Sequence, residues 1–148
     1  MNLEAGKAII EELQMFLLGS RFMHAWVFVC LGGGLGALAR FSLAGFLHRR
    51  YVGSMPIGTL AVNVVGCFLA GILFASVFQR EDLDPRMRHF LGAGLLGAFT
   101  TFSTFGAETL ALFREDRVSL ALGNVALNVV AGLLAVWAGH ALVKLFMD

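Results

Sequence analysis

The chain has 148 residues, of which 58% are hydrophobic and 14% are charged, and its formal net charge is +1 at pH 7. Soluble domains carry about 25% charged residues, so the composition excludes an ordinary soluble domain, and we expect no nucleic-acid partner. Both cysteines lie inside apolar runs, which argues against a disulfide framework or a CxxC metal site. Four apolar runs are long enough to cross a bilayer, which takes about 20 residues. We therefore predict an all-α integral membrane protein with four transmembrane helices.

The segment before the first span, residues 1–22, alternates charged and apolar side chains in an amphipathic helical pattern. It lacks the cationic start and the small-residue cleavage site of a signal peptide. An interfacial helix and an over-extended translation start ahead of Met23 both fit this pattern. We expect a peripheral extension over 1–22 and a transmembrane domain over 23–148.

The first predicted span, residues 25–46, carries Gly32, Gly36 and Arg40 at spacings of four, which places them on one helical face. The glycines allow another backbone to approach closely. Arg40 lies near the end of the span. Its side chain can either extend to the interface or reach into a water-filled vestibule.

The second predicted span, residues 57–78, has no charge but contains one amide, Asn63, on the same face as Thr59 and Gly66. A buried amide costs free energy unless it is paired or solvated. Two interpretations follow from this. The amide either bonds to a neighbouring helix or donates to a permeant ion.

The third predicted span, residues 90–113, has an unusual centre at 92–106, where glycines, hydroxyl side chains and phenylalanines replace the usual aliphatic residues. Spacings of three predict that Phe99, Phe102 and Phe105 share one helical face. Hydroxyls surround this row at Thr100, Thr101, Ser103 and Thr104. Irregular backbone at membrane depth persists only where protein or a polar cavity satisfies it. We predict a helix broken in mid-membrane that lines a site, with a glycine-rich packing helix as the alternative.

The fourth predicted span, residues 118–142, follows a tight turn at 114–117 and carries a stripe of small and polar residues expected to meet its neighbours. The stripe consists of Asn124, Asn128, Gly132, Ala135 and Gly139. The connection at 79–89 reads as a solvated loop, and both prolines, Pro56 and Pro85, are predicted to lie in loops.

Basic residues near the span ends divide four to four between the two sides of the membrane. One side carries Arg80, Arg86, Arg88 and Lys144, and the other carries Arg49, Arg50, Arg114 and Arg117. Counting Lys7 and Arg21 changes the ratio only to six to four. Such balance gives no preferred orientation under the positive-inside rule. We therefore predict that copies insert both ways and that opposite copies pair.

Three motifs together resemble the Fluc (CrcB-type) family of fluoride channels over residues 24–145. They are GGLGALARF at 33–41, GTLAVNVVG at 58–66 and GLLGAFTTFSTF at 94–105, with Glu108 following. The resemblance implies a dual-topology antiparallel homodimer in the bacterial inner membrane, with two pathways that export fluoride and relieve its toxicity.

The resemblance also implies roles for particular residues. Phe102 and Phe105 would form an aromatic box, Asn63 would donate to the ion, and a structural Na⁺ on the dimer axis would be held by the backbone carbonyls of Gly97 and Thr100. The remaining residues expected along the pathway are Thr59, Arg40, Ser103, Thr104 and Asn128. The family often has serines where this chain has Asn128 and Gly132, and Asn128 can still donate.

Two other classes are consistent with four apolar spans. A small multidrug exporter shares the antiparallel dimer but needs a membrane-embedded carboxylate, and Glu108 near the end of the third span is the only one here. A non-transporting assembly subunit would explain the glycines but not hydroxyls and phenylalanines near a buried amide. We expect no enzyme, because the four histidines are scattered and no nucleophile–base pair is indicated.

Overall fold

The computed structural model describes residues 25–51 and 53–146, and the predicted peripheral extension at 1–22 lies outside them. The chain forms α1 (Leu3–Arg50), of which the part from Ala25 is described, and α2 (Ile57–Ser76). The third span joins α3 (Pro85–Arg88), a π-helix (His89–Leu96), α4 (Gly97–Phe99) and α5 (Phe102–Arg114). The chain continues as α6 (Val118–Met147), and the described residues contain no strand.

Four stretches are long and apolar enough to cross a membrane, which confirms the predicted class. They are Ala25–Arg50, Ile57–Ser76, Pro85–Arg114 and Val118–Phe146. The chain has little interior of its own, because only Val62 and Asn124 have fully buried large side chains among the described residues. Most apolar side chains therefore face lipid or another protein chain.

The loop between α2 and α3 is solvated, as the sequence predicts, but it ends before Pro85. Arg80 and Asp82 form an exposed ion pair of 3.0 Å in this loop, and the hydrogen bond from Arg80 lowers the pKa of Asp82. Pro85 is the first residue of α3 rather than a loop residue. A proline lacks the N–H that the first helical position leaves unbonded, so it begins a helix without loss.

The π-helix lies directly against α1, and glycines make this contact possible. A Cβ atom added to Gly32 would collide with the carbonyl oxygen of Phe90, and one added to Gly36 would collide with that of Leu95. On the opposite side, a Cβ atom on Gly94 would lie 3.0 Å from the Cα atom of Gly32. The two backbones therefore touch, which confirms the close approach predicted for the glycine face of α1.

A second glycine-mediated crossing joins α2 to α6. A Cβ atom on Gly71 would collide with the carbonyl oxygen of Val136, and one on Gly139 would collide with that of Phe68. Gly132 faces the sulfur of Cys67, which would lie 3.4 Å from an added Cβ atom. The glycines of the predicted stripe, Gly132 and Gly139, therefore lie where α6 packs on α2.

The third span is broken at Thr100 and Thr101, where the chain is extended (ψ 157° at Thr100; φ −149° and ψ 108° at Thr101). The predicted mid-membrane break is confirmed. The prediction that Phe99 shares a helical face with Phe102 and Phe105 is wrong, because the break separates Phe99 from the helix that carries the other two. The side chain of Phe99 instead packs against α2 at Gly66.

Candidate functional site

The helix break is held from α2 by the side chain of Asn63. The backbone N–H of Thr101 donates to Asn63 Oδ1 at 2.9 Å, and Asn63 Nδ2 donates to the carbonyl oxygen of Thr101 at 3.2 Å. Two extended residues leave backbone groups without helical partners, and such groups must be satisfied inside a membrane. The single amide of Asn63 satisfies both polar groups of Thr101.

Asn63 is also the first member of a chain of hydrogen bonds that we call the amide ladder, formed by Asn63, Asn128, Asn124 and Thr109. Asn63 Nδ2 donates to Asn128 Oδ1 at 2.9 Å, and Asn128 Nδ2 donates at 3.0 Å to both the carbonyl oxygen and Oδ1 of Asn124. Asn124 Nδ2 donates to Thr109 Oγ1 at 2.9 Å. The Thr109 hydroxyl donates to the carbonyl oxygen of Phe105 at 2.8 Å. The ladder thus connects α2, α6 and α5.

Hydroxyl groups gather at the start of α5, immediately after the break. Thr101 Oγ1 accepts from the backbone N–H of Thr104 at 3.3 Å and donates to Thr104 Oγ1 at 2.9 Å, so Thr101 caps the helix. Ser103 Oγ lies 3.5 Å from Thr101 Oγ1. Thr101 is buried, whereas the side chains of Ser103 and Thr104 are exposed on the outer surface of the chain.

Two phenylalanine rings flank this hydroxyl cluster on α5. The ring centroids of Phe102 and Phe105 are 5.4 Å apart, with the planes inclined at 55°. Phe105 is 8% exposed, whereas Phe102 is 82% exposed. Ring edges carry partial positive charge, so the exposed residues Phe102, Ser103 and Thr104 add weak and strong hydrogen donors to the start of α5.

A second polar pair lies between α2 and α5. Thr59 Oγ1 donates to Glu108 Oε1 at 2.8 Å, and Glu108 Oε2 is buried without a hydrogen-bond partner among the described residues. Both residues, together with Thr104 and His48, line a cavity of about 300 Å³. No pathway role for Glu108 is predicted from the sequence, although its position as the only acidic residue inside the predicted spans is a signal.

The backbone carbonyls of Gly97 and Thr100 lose their helical partners at the break. In a continuous helix Gly97 would accept from the N–H of Thr101, which donates to Asn63 instead. Thr100 would accept from the N–H of Thr104, which donates to Thr101 Oγ1. Neither oxygen therefore has the donor that a continuous helix would give it. No group of three His, Cys, Asp or Glu side chains in the described part of the chain could hold a metal.

The structure brings together most of the residues singled out from the sequence. Asn63 and Asn128 are directly bonded, and Thr59 and Thr104 line one cavity. Arg40 stands apart, because it is half-buried on α1 and forms no hydrogen bond or ion pair with another described residue.

Sequence reasoning missed two members of the site, Asn124 and Thr109. The sequence predicts only a packing role for Asn124, although its spacing of four from Asn128 is a signal. Thr109 gave no signal, because a lone threonine in an apolar helix commonly bonds to its own preceding turn.

Comparison with known proteins gives consistent matches over the membrane domain. A family model described as CrcB-like protein, Camphor Resistance (CrcB), matches residues 27–140. A protein of Methylobacillus flagellatus named "Fluoride-specific ion channel FluC" is 40% identical over 127 residues, which cover 85% of this chain and 99% of the relative. Proteins of the same name from Shewanella loihica and Opitutus terrae are 41% and 43% identical over 121 residues, covering 82% and 80% of this chain and 97% and 91% of the relatives.

Proposed function

Because this chain belongs to the CrcB-like family, we propose that it is a fluoride-selective channel that exports the ion across the bacterial plasma membrane and relieves fluoride toxicity. The family consists of channels rather than enzymes, as the sequence predicts, and the four apolar spans make the chain a multi-pass membrane protein. The observation that carries the proposal is the region of the helix break, where two phenylalanine rings and several hydroxyls lie near the half-buried amide of Asn63.

A channel must bind its ion strongly enough to admit it and weakly enough to release it. Hydroxyls of Ser103 and Thr104 replace part of the water around fluoride, and the edges of Phe102 and Phe105 add weak attraction. Thr59 and Glu108 line a cavity together with Thr104. Arg40, whose positive charge is unpaired among the described residues, attracts anions towards a pathway entrance.

Asn63 contributes one hydrogen to the ion in this proposal. Its amide group has two hydrogens, and the bond to the carbonyl oxygen of Thr101, at 3.2 Å, is the longer of the two. Fluoride is a stronger acceptor than a carbonyl oxygen, so the ion takes this hydrogen while the other bonds hold the amide in place. Asn128 donates both of its hydrogens to Asn124 and acts on the pathway by holding Asn63.

A structural Na⁺ fits the carbonyl oxygens of Gly97 and Thr100, since both have lost their helical donors. When bound, the cation supplies a fixed positive charge that raises the local potential for anions. The backbone carbonyl oxygens of Gly97 and Thr100 would contribute ligands from this chain. A second copy of the chain would complete the coordination, because sodium requires more than two oxygens.

Pairing of two copies is supported by the polar surface that a single chain leaves uncovered. Ser103 and Thr104 lie within the third apolar stretch and are exposed, and lipid offers no hydrogen-bond partner to their hydroxyls. Phe102 is also exposed beside them. A second, antiparallel copy covers this surface, and the balanced charges of the loops permit both insertion directions.

We expect both orientations to occur in the membrane. The test is a Ser54→Cys variant in which Cys30 and Cys67 are replaced, treated in intact cells and then in opened cells with an impermeant thiol reagent. About half of the protein should react from outside, and the rest should react only after opening. Labelling from a single side would contradict dual topology and leave the channel proposal to be judged on transport.

The function itself is tested by fluoride efflux from liposomes, followed with a fluoride electrode. Purified protein should release trapped fluoride rapidly and leave chloride behind, whereas protein-free liposomes measure the leak of neutral HF. Absence of fluoride efflux from correctly assembled protein would overturn the proposal. Proton-coupled uptake of a lipophilic cation would instead identify a small multidrug-type exporter, and no transport of either kind would favour an assembly subunit.

A further inference from the structure

At each end, the amide ladder bonds to a backbone group that can only donate or only accept a hydrogen bond. The N–H of Thr101 can only donate, so it requires Asn63 Oδ1 to face it and turns the Asn63 NH₂ group towards Asn128. At the other end, the carbonyl oxygen of Phe105 can only accept, and it takes the hydrogen of the Thr109 hydroxyl. Thr109 Oγ1 is then left to accept from Asn124.

The hydrogen bonds in the middle of the ladder also donate in the order from Asn63 towards Thr109. Asn128 presents its oxygen to Asn63 and its NH₂ group to Asn124, whose backbone carbonyl can only accept. Turning the Asn128 amide over would place its NH₂ group against the NH₂ group of Asn63. It would also place its oxygen against two oxygens of Asn124. The amides therefore hold one orientation together, because no member can turn without breaking the bonds of its neighbours.

The inner members of the ladder cannot touch a passing ion. Asn124 is 1% exposed and Thr109 is 8% exposed, and their bonds run between α6 and α5 rather than towards the break. Their burial distinguishes them from the exposed hydroxyls of the pathway. Asn124 can act on the break only through Asn128 and Asn63, whereas Thr109 also bonds to the backbone of Phe105. Spectroscopic signals of the asparagine side chains are therefore needed to show that Thr109 acts through the ladder.

We propose that Thr109 and Asn124 are positioning residues that fix the orientation of the Asn63 amide, and with it the helix break, from a site that fluoride does not reach. The role of Asn63 in transport rests on the proposed function, but the ladder itself can be measured without fluoride. Thr109 provides the cleanest variant, because Thr109→Val removes the hydroxyl at nearly constant shape. Thr109→Ser restores the hydroxyl and removes only a methyl group.

The chain contains only four asparagines, Asn2, Asn63, Asn124 and Asn128, so asparagine-selective ¹⁵N labelling gives four side-chain NH₂ signals. In lipid nanodiscs, Thr109→Val should shift the signals of all three ladder asparagines and leave that of Asn2 unchanged. Thr109→Ser should return the three signals to the wild-type pattern. A shift confined to Asn124 would overturn the proposal, because it would mean that Thr109 acts only on its immediate neighbour.

Fluoride efflux gives the second measurement. Thr109→Val should transport about fivefold more slowly, as expected for the loss of one hydrogen bond, and Thr109→Ser should be within twofold of wild type. Ser76→Ala is the matched control, since the Ser76 hydroxyl bonds only to the carbonyl oxygen of Ile72 in its own helix, and its efflux should be unchanged. Equal efflux from Thr109→Val and wild type would overturn the positioning role.

If Thr109→Val does not assemble, a fluoride titration of the wild-type protein tests whether the ladder amides respond together. Fluoride should shift the Asn63 signal and, through the ladder, the signals of Asn128 and buried Asn124. A shift at Asn63 alone would show that the amides move independently and would overturn the proposal. Absence of fluoride efflux and of any fluoride-induced shift from wild-type protein would overturn the proposed function instead, while the variant spectra recorded without fluoride would still test the ladder.

Discussion

Replacing Asn63 with Asp should slow fluoride efflux by about a thousandfold. A carboxylate on a narrow anion path repels the ion, and two like charges about 4 Å apart cost about 4 kcal/mol at an effective dielectric constant near 20. Each 1.4 kcal/mol corresponds to a factor of ten. The carboxylate also loses both donors of the amide, so its oxygens would oppose the carbonyl oxygen of Thr101 and Asn128 Oδ1. The measurement is electrode-monitored efflux from liposomes at neutral pH.

The same variant gives a pH dependence with a definite sign. Protonation removes the charge of the introduced carboxyl group and restores one donor, so part of the flux should return as the pH falls. Protein-free liposomes at each pH correct for the leak of HF. Asn63→Ala separates repulsion from loss of a donor, because it removes the amide without adding charge and should be slowed less. Gel filtration must show the same assembly for both variants as for wild type, and unchanged efflux in both would place Asn63 off the pathway.

Replacing Phe102 with Ile should slow efflux severalfold, up to about tenfold, and Phe105→Ile should do the same. Isoleucine keeps the apolar character of the side chain but removes the positive ring edge. Interactions between aromatic rings contribute about 0.5–1.5 kcal/mol beyond the burial of their surface, which sets the scale of the expected loss. Phe102 gives the cleaner result, because its ring is 82% exposed in the chain and supports little of its packing. Phe105 is 8% exposed, so its replacement also leaves a cavity that costs about 1 kcal/mol of stability or more.

A matched control for both rings lies on the same helix. Phe113 is exposed near the end of α5, away from the break, and Phe113→Ile should transport within twofold of wild type. Near-normal efflux from both ring variants would mean that the rings only pack, which is the interpretation the sequence left open. Loss of efflux in Phe113→Ile as well would point to damage of the whole helix rather than to a role of the rings.

The sequence by itself determined the features that depend on short-range composition. The length of each apolar run predicts four spans, since a bilayer fixes how many residues a helix needs, and all four are present. The glycines at 32, 36 and 139 predict close backbone contacts, because glycine has no side chain whatever its surroundings. The replacement of aliphatic residues by glycine, threonine and serine at 92–106 predicts the break for the same reason.

Only the tertiary structure decided which groups form hydrogen bonds with the backbone at the break, and at which residues the helix ends and begins again. The bonds of Asn63 join residues 38 and 65 positions apart in sequence, and no helical periodicity specifies such pairs. Thr109 became part of the ladder because α6 places Asn124 beside it. The π-helix and the separation of Phe99 from Phe102 also went unpredicted, since both depend on contacts of the third span with α1 and α2. Hydrogen bonds inside a membrane are obligatory, but the neighbouring helices determine which groups form them.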